Sequence, residues 1–473
     1  MELFGTAGIR GDAVEEVTPA VALSVGRALG ERVRERSADG TAGSGASGGN
    51  GPPTVVVGRD GRVTGPALAA AAAAGLASAG VAVRRLGVVP TPAVAFASRG
   101  RHGLAVTASH NPPGDNGLKL FADGVEFDRG AERDVAARVG DADGAPAPAP
   151  WAEWTEPGRE AVLDGYRGAV VSYARDHGAA LDGLRVALDC GTGTAALAAP
   201  EVLRTLGARV VTLNAQIDGH FPGRASKPTP DSLSDFRAFV AEDDAALGIA
   251  HDGDADRIVV LDGSGEVVHE DTVVAILAEH YVRASSAEAP AVVTTPNASG
   301  RIDERVRAAG GRVERTRLGA LHEGVAAVRA EGGTVAFAAE PWKHLHPGLG
   351  GWIDGVASAA VLARLVAASG LADLRAPVDE RPYRKGSVPC ADGRKADAMD
   401  RVADALPAAF PDAETDDEYG VRVDRPDGSW VLVRPSGTEP YLRVYAESED
   451  ADALIDRVTD LVAEAVAAAD ERR

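Results

Sequence analysis

Three aspartates at alternating positions, Asp252, Asp254 and Asp256, stand in the segment His251-Asp252-Gly253-Asp254-Ala255-Asp256-Arg257. Apolar runs of strand length flank it, Leu247-Gly248-Ile249-Ala250 before and Ile258-Val259-Val260-Leu261 after. A fold that joins two such strands through this loop must gather three carboxylates, and like charges that close are costly without a cation among them. Hard oxygen donors suit Mg²⁺, and the closing arginine suits a phosphate. An EF-hand calcium loop is excluded, because its sixth and twelfth positions fall on Arg257 and Gly263 instead of glycine and glutamate. A solvated acidic turn and an aspartate-nucleophile phosphatase loop stay open on this segment alone.

Two further segments narrow the choice. Val106-Thr107-Ala108-Ser109-His110-Asn111-Pro112-Pro113 is followed by Asn116-Gly117-Leu118-Lys119. Its turn dipeptides place Ser109 on an exposed turn just past an apolar run, with His110 beside it and Lys119 ten residues on, both able to move protons. No G-x-S-x-G frame surrounds the serine, which argues against a hydrolase triad. The third segment, Arg434-Pro435-Ser436-Gly437-Thr438-Glu439-Pro440, follows the strand-like Trp430-Val431-Leu432-Val433. Its hydroxyls, backbone N–H groups and guanidinium suit a phosphate, although Ser-Gly turns are common.

Together, in this order, the three segments resemble the α-D-phosphohexomutase family, which includes phosphoglucomutase/phosphomannomutase and phosphoglucosamine mutase. The resemblance begins at Leu3-Phe4-Gly5-Thr6-Ala7-Gly8-Ile9-Arg10-Gly11. It runs on through Val57-Gly58-Arg59-Asp60 and Leu86-Gly87-Val88-Val89-Pro90-Thr91-Pro92. It implies three similar α/β domains and a smaller C-terminal α+β domain around a central cleft. The chain of 473 residues is long enough for several cores. We expect domain I at 1–150, II at 151–262, III at 263–372 and IV at 373–473. Strand-like runs that alternate with alanine-rich stretches agree with α/β layers. Within domain I, residues 37–53 are almost wholly Gly, Ser, Ala, Asn and Asp, and read as a flexible insertion.

The resemblance implies interconversion of hexose 1-phosphate and hexose 6-phosphate through a phosphoserine and a bound hexose 1,6-bisphosphate. Ser109 would carry the phosphoryl group. Asp252, Asp254 and Asp256 would hold Mg²⁺ together with an oxygen on Ser109. Arg257 would spread the charge of the transferring group, with Arg10 near the reacting centre. Lys119 would be the general acid/base, assisted by His110 and with its pKa lowered by neighbouring cations. Arg434, Ser436, Gly437 and Thr438 would grip the non-reacting phosphate.

The chain departs from the family in domain III. The sugar-recognition pattern G-E-x-S-G-H is matched by Ala339-Glu340-Pro341-Trp342-Lys343-His344. Glu340 and His344 align, whereas the serine has become Trp342 and the following glycine Lys343. Glu340 can accept hydrogen bonds from ring hydroxyls. Trp342 can stack on a sugar or pack the loop, and Lys343 can meet a phosphate or stay solvated. The family's T-x-V-G-D segment reads Thr316-Arg317-Leu318-Gly319-Ala320, with Arg317 and His322 as candidate substrate contacts. Glucose, mannose and glucosamine phosphates all remain open as substrates. A Mg-dependent sugar-phosphate phosphatase and a non-catalytic sugar-phosphate sensor are the rival functions.

The formal charge of −21 and the scarcity of lysine resemble proteins of salt-loving organisms, so activity should rise with KCl. That charge argues against nucleic acid and anionic membrane as partners. Two widely spaced cysteines make neither a disulfide framework nor a zinc site. A cytoplasmic monomer or homodimer acting on small sugar phosphates is the expectation.

Overall fold

The valine-rich runs of the first 160 residues assemble into one mixed sheet. A computed structural model of the chain describes residues 3–5, 8–38, 52–140, 148–436 and 439–470. Its first strands are β1 (Ile9–Asp12), β2 (Thr54–Arg59), β3 (Ala82–Val88), β4 (His102–Val106), β5 (Asp115–Ala122), β6 (Val125–Glu126) and β7 (Gly158–Arg159). They lie in the order β1-β5-β4-β2-β3-β7, with β6 on β5. β4, β2, β3 and β7 are mutually parallel, and β5 runs antiparallel to both β1 and β4. The register Arg10↔Gly117 and Ala105↔Lys119 brings the first arginine and the lysine onto strands beside the serine turn, which follows β4 directly.

Helices Pro19–Ala38 and Gly65–Ser78 pack together on this sheet. Their approach depends on two glycines: a Cβ at Gly26 would lie 2.3 Å from the Ala72 carbonyl, and one at Gly75 2.2 Å from that of Leu23. The core between them, with Val25, Leu29, Leu68, Leu76, Val55 and Val57, is fully or almost fully buried. Each such side chain contributes about 1.5–3 kcal/mol of burial.

The second sheet contains β8 (Arg185–Asp189), β9 (Arg209–Leu213), β10 (Leu247–Ala250), β11 (Val259–Asp262) and β12 (Val267–Val268), in the order β12-β11-β10-β8-β9. β10 and β11 are an antiparallel pair, Leu247↔Asp262 to Ala250↔Val259, and the three aspartates lie in the loop between them. A third group is parallel: β13 (Ala291–Thr294) lies between β14 (Arg312–Arg315) and β15 (Val335–Glu340). The short strand β16 is Lys343–Leu345. The last sheet is wholly antiparallel, β17 (Tyr383–Pro389), β18 (Glu414–Asp416), β19 (Val421–Asp424), β20 (Trp430–Pro435) and β21 (Tyr441–Glu447), in the order β17-β21-β20-β19-β18. Helices Lys395–Ala409 and Ala451–Asp470 pack together over it.

Two compact units emerge, Met1–Val273 with Pro341–Arg375, and Val274–Glu340 with Ala376–Arg473. Two details differ from the limits expected in the sequence. β7 extends the first sheet beyond residue 150. The segment Pro341–Arg375 belongs to the first unit because helix Gly355–Ser369 packs on helix Leu163–Arg175. There Arg364 Nε donates to the His177 carbonyl at 2.6 Å and Tyr166 Oη to Asp354 Oδ1 at 2.8 Å. The expected insertion falls, from residue 39 to 51, outside the described residues. No helix among the described residues is long and apolar enough to cross a membrane.

Candidate active site

In the first unit the serine turn and the aspartate loop meet. Ser109 is at φ +51° and, contrary to an exposed turn, is fully buried. Its Oγ donates to Asp252 Oδ2 at 2.6 Å and is 3.3 Å from Asp256 Oδ1 and 3.4 Å from His110 Nδ1. Burial follows from the aspartate loop closing on the turn. Gly253 is required there, since a Cβ would lie 2.8 Å from the Ser109 carbonyl oxygen and 2.7 Å from Ser226 Oγ. Ala255 takes φ +62°, turning the loop so that Asp254 and Asp256 both face inward.

A buried arginine that the sequence motifs do not single out holds the serine turn. Arg62 donates to the carbonyls of Ser109, Asn111, Pro112 and Asp115, at 2.9, 2.8 and 2.9 Å for Ser109, Asn111 and Asp115. Its Nε pairs with Asp60 Oδ2 at 3.1 Å. Asp60 in turn accepts from Thr107 Oγ1 at 2.8 Å, and Thr107 Oγ1 also lies 3.1 Å from Asp254 Oδ2. Thr91 adds a hydrogen bond to the same Asp254 oxygen at 2.6 Å. Ser226 Oγ donates to the Ser109 carbonyl at 2.8 Å. Burial, opposed by Arg62, pushes the Asp60 carboxyl up to about 6.

Four cations surround the carboxylates. Lys119 Nζ is 3.3 Å from Asp256 Oδ2 and 3.1 Å from Glu126 Oε1. Lys343 Nζ is 3.2 Å from the same Asp256 oxygen. Arg257 Nε lies 3.8 Å from Asp252 and 3.9 Å from Asp256. Arg10 acts on Asp256 electrostatically, and its buried Nε and Nη2 make no hydrogen bond.

The charges shift one another. Burial, then Asp256 and Asp254, raise the Asp252 carboxyl. Burial also raises Asp256, but Lys343, Lys119, Arg257 and Arg10 outweigh it and hold this group low. The His110 imidazole falls to about 2, by burial first and then by Arg257, Arg10 and Lys343. Lys119 corrects the sequence expectation of a lowered pKa: burial pulls it down, but Glu126 and Asp256 prevail and the pKa is raised.

The donor set fits a divalent cation. One carboxylate oxygen from each of Asp252, Asp254 and Asp256 lies within 4.8 Å of the others, all three residues buried. Asp254 Oδ1 is buried with no hydrogen-bond partner, an expensive state unless a cation meets it. Hard oxygen ligands of this kind suit Mg²⁺.

The expected sugar loop divides. Trp342, at φ +66°, lays its part-buried ring against the core of the second sheet, and its carbonyl accepts from Ile258 N–H at 3.0 Å. Its ring therefore packs, one of the two uses left open in the sequence. His344 is buried with Nδ1 3.0 Å from Ser358 Oγ, its imidazole lowered to about 3 by burial.

The remaining candidates lie in the second unit. Glu340 Oε1 accepts from Gly319 N–H at 2.5 Å. Arg317 pairs with Glu323, and His322 has a buried Nε2 with no hydrogen-bond partner. Arg434 Nη2 donates to Tyr445 Oη at 2.8 Å, and its buried Nε makes no hydrogen bond. Ser436 accepts at its carbonyl from Lys395 Nζ at 2.6 Å, and the same ammonium reaches the Glu439 carbonyl at 2.7 Å. Lys395 thus ties the Ser436 and Glu439 backbones together. Gly437 and Thr438 lie outside the described residues.

Comparison with known proteins agrees with this geometry. Family descriptions match in three places: phosphoglucomutase/phosphomannomutase α/β/α domain I over residues 1–144, domain II over 166–265 and the C-terminal domain over 387–465. A phosphopentomutase of Thermococcus kodakarensis is 39% identical over 458 residues, 95% of this chain and 94% of the relative. A probable phosphoglucosamine mutase of Methanopyrus kandleri is 39% identical over 475 residues, 97% of each. The crystal structure of a phosphoglucomutase/phosphomannomutase family protein from Burkholderia thailandensis is similar with TM-score 0.82 at 28% identity, covering 100% of this chain and 98% of that one. Fold and site define a sugar-phosphate mutase of the multi-domain α/β type. The chain belongs to the α-D-phosphohexomutase family and is an isomerase of that class.

Proposed function

We propose that the chain interconverts the 1- and 6-phosphates of an amino sugar, glucosamine, through a phosphoserine at Ser109. The observation that carries the reaction is the Ser109 hydroxyl buried between Asp252 and Asp256 beside two lysines and Arg257. The relatives named as probable phosphoglucosamine mutases support the sugar. A pentose phosphate is the second reading, favoured by the relative named phosphopentomutase. Glucose and mannose phosphates draw less support. The phosphatase and sensor readings draw none, since these relatives are mutases by name.

In this scheme Asp252, Asp254, Asp256 and an oxygen on Ser109 would hold Mg²⁺, which would supply positive charge to offset that of a phosphoryl group. Phosphoserine passes its phosphoryl group to the free hydroxyl of the bound sugar monophosphate. The bond to Ser109 Oγ breaks as the bond to the sugar oxygen forms. The resulting bisphosphate turns over and returns its other phosphoryl group to Ser109. Arg257 and Arg10 stabilise the charge on the moving group. Lys119 serves as acid/base, and His110 assists from 3.4 Å. Arg434 and Ser436, with Gly437 and Thr438, grip the resting phosphate, and Glu340 holds ring hydroxyls with Arg317 and His322 nearby. We keep the four-domain division and the monomer or homodimer as part of this reading.

A side-by-side assay tests it. Glucosamine, ribose, glucose and mannose 1-phosphates are offered with Mg²⁺ and a trace of the matching bisphosphate, Ser109→Ala as control. Conversion of glucosamine 1-phosphate fastest, and more than about a thousandfold slower in the control, is the expected result. Conversion that survives in Ser109→Ala would sink the phosphoserine scheme. Ribose 1-phosphate converted fastest would replace the amino sugar with the pentose.

A further inference from the structure

Lys343 stands where the resembling sugar loop has glycine, yet its ammonium is not spread into solvent. The side chain is 8% exposed and sits 3.2 Å from Asp256 Oδ2, the oxygen that Lys119 also meets. Its place is built by the backbone. Lys343 forms a β-bridge with Arg257, and Ile258 N–H donates to the Trp342 carbonyl on the preceding residue. The Trp342 ring, anchored in the core of the second sheet, holds that segment against the aspartate loop.

Charge bookkeeping shows what the extra cation does. Asp252, Asp254, Asp256 and Glu126 are the carboxylates of the cluster, and Arg10, Lys119, Arg257 and Lys343 are its cations. A divalent ion added to this balanced set leaves a surplus of about two positive charges, close to the charge of a phosphate monoester. Glycine in place of Lys343 would leave a surplus of only about one.

We propose that Lys343 is a phosphate-contacting residue of this centre: Asp256 holds its ammonium while Ser109 is free, and the phosphoryl group on Ser109 receives it during transfer. The inference rests on the phosphoserine reading. It also assigns Lys343 an opposite effect on the metal, because an ammonium that shares Asp256 repels a divalent cation in the same loop.

The test uses the full-length protein with unphosphorylated Ser109, titrated with Mn²⁺ and read by the electron paramagnetic resonance of the free ion. Lys343→Met and Lys343→Gln are expected to bind Mn²⁺ about tenfold more tightly than the parent, and Lys343→Arg to bind it as the parent does. In sugar-phosphate turnover the neutral variants should lose about 30-fold or more in kcat with KM little changed, and Lys343→Arg should recover most of it. Mn²⁺ affinity unchanged in both neutral variants overturns the proposal. So does tighter Mn²⁺ binding with unchanged kcat, since Lys343 would then face the metal alone. Failure of the mutase reading shows differently, as a parent enzyme whose turnover does not depend on Ser109. In that case the proposal falls with the reading, whatever the Mn²⁺ result.

Discussion

The serine–aspartate centre and the Glu340 region make an instructive pair. In the first, the carboxylates and the serine are buried and held by other parts of the same unit, from Arg62 under the turn to Thr91 and Thr107 beside Asp254. In the second, the side chains are only part-buried, with Glu340 accepting from Gly319 and Arg317 paired with Glu323. The chemical step needs preorganised charge, which tolerates little drift. In the proposed scheme sugar choice falls to the Glu340 region and needs only differences in contact, which a lightly held loop can change without disturbing the transfer.

Arg62 tests the first half of that contrast most severely. Arg62→Lys keeps one charge but not the planar fork that serves four carbonyls and Asp60. Loss of about 3 kcal/mol of stability and at least a hundredfold of kcat is expected, measured by thermal melting and the mutase assay. A variant within twofold of the parent would show that the turn orders without its clamp. Glu340→Gln probes the other half: KM should rise about tenfold, with a changed ranking of sugars and kcat within about threefold. An equal fall in kcat for every sugar would place Glu340 in the chemical step instead.

Smaller effects follow from pH and salt. His102 and His344 are lowered by burial, from 6.5 to about 4 and about 3. The unfolded chain therefore takes up these protons first, and stability is full above about pH 6.5 and declines as pH falls toward 4. Together they account for a few kcal/mol, checked by denaturant midpoints between pH 7 and 4.5. A flat midpoint over that window would remove these residues from the account. Activity should rise severalfold with KCl, since screening relieves a net charge of −21. A falling salt profile would withdraw the halophile reading.

Much of the centre is visible in the chain because its groups come from short contiguous segments. Ser109 with His110 and the three aspartates with Arg257 each announce themselves by local pattern. The α/β layering is visible for the same reason, in β-branched runs that alternate with alanine-rich ones. Arg62 has no such signal: its partners lie about fifty residues on and are backbone carbonyls, which any sequence possesses. Its place two residues after Asp60 is the only local hint. The lysine pKa failed for a related reason, because Glu126 reaches Lys119 across a hairpin and offsets the cations that the motifs display. The fate of Trp342 depended on the core of the second sheet, against which its ring packs and which only the folded chain assembles.

The seat of Trp342 also governs how this enzyme can be re-engineered. Transplanting a relative's serine-containing loop would do more than exchange one recognition surface for another. It would leave a hollow the size of an indole beside the second sheet, at a cost of about 3 kcal/mol, and release the tether that aims the next residue at Asp256. A successful graft therefore has to keep Trp342 and change the residues around it, so that the new loop inherits a floor before it is asked to discriminate a sugar.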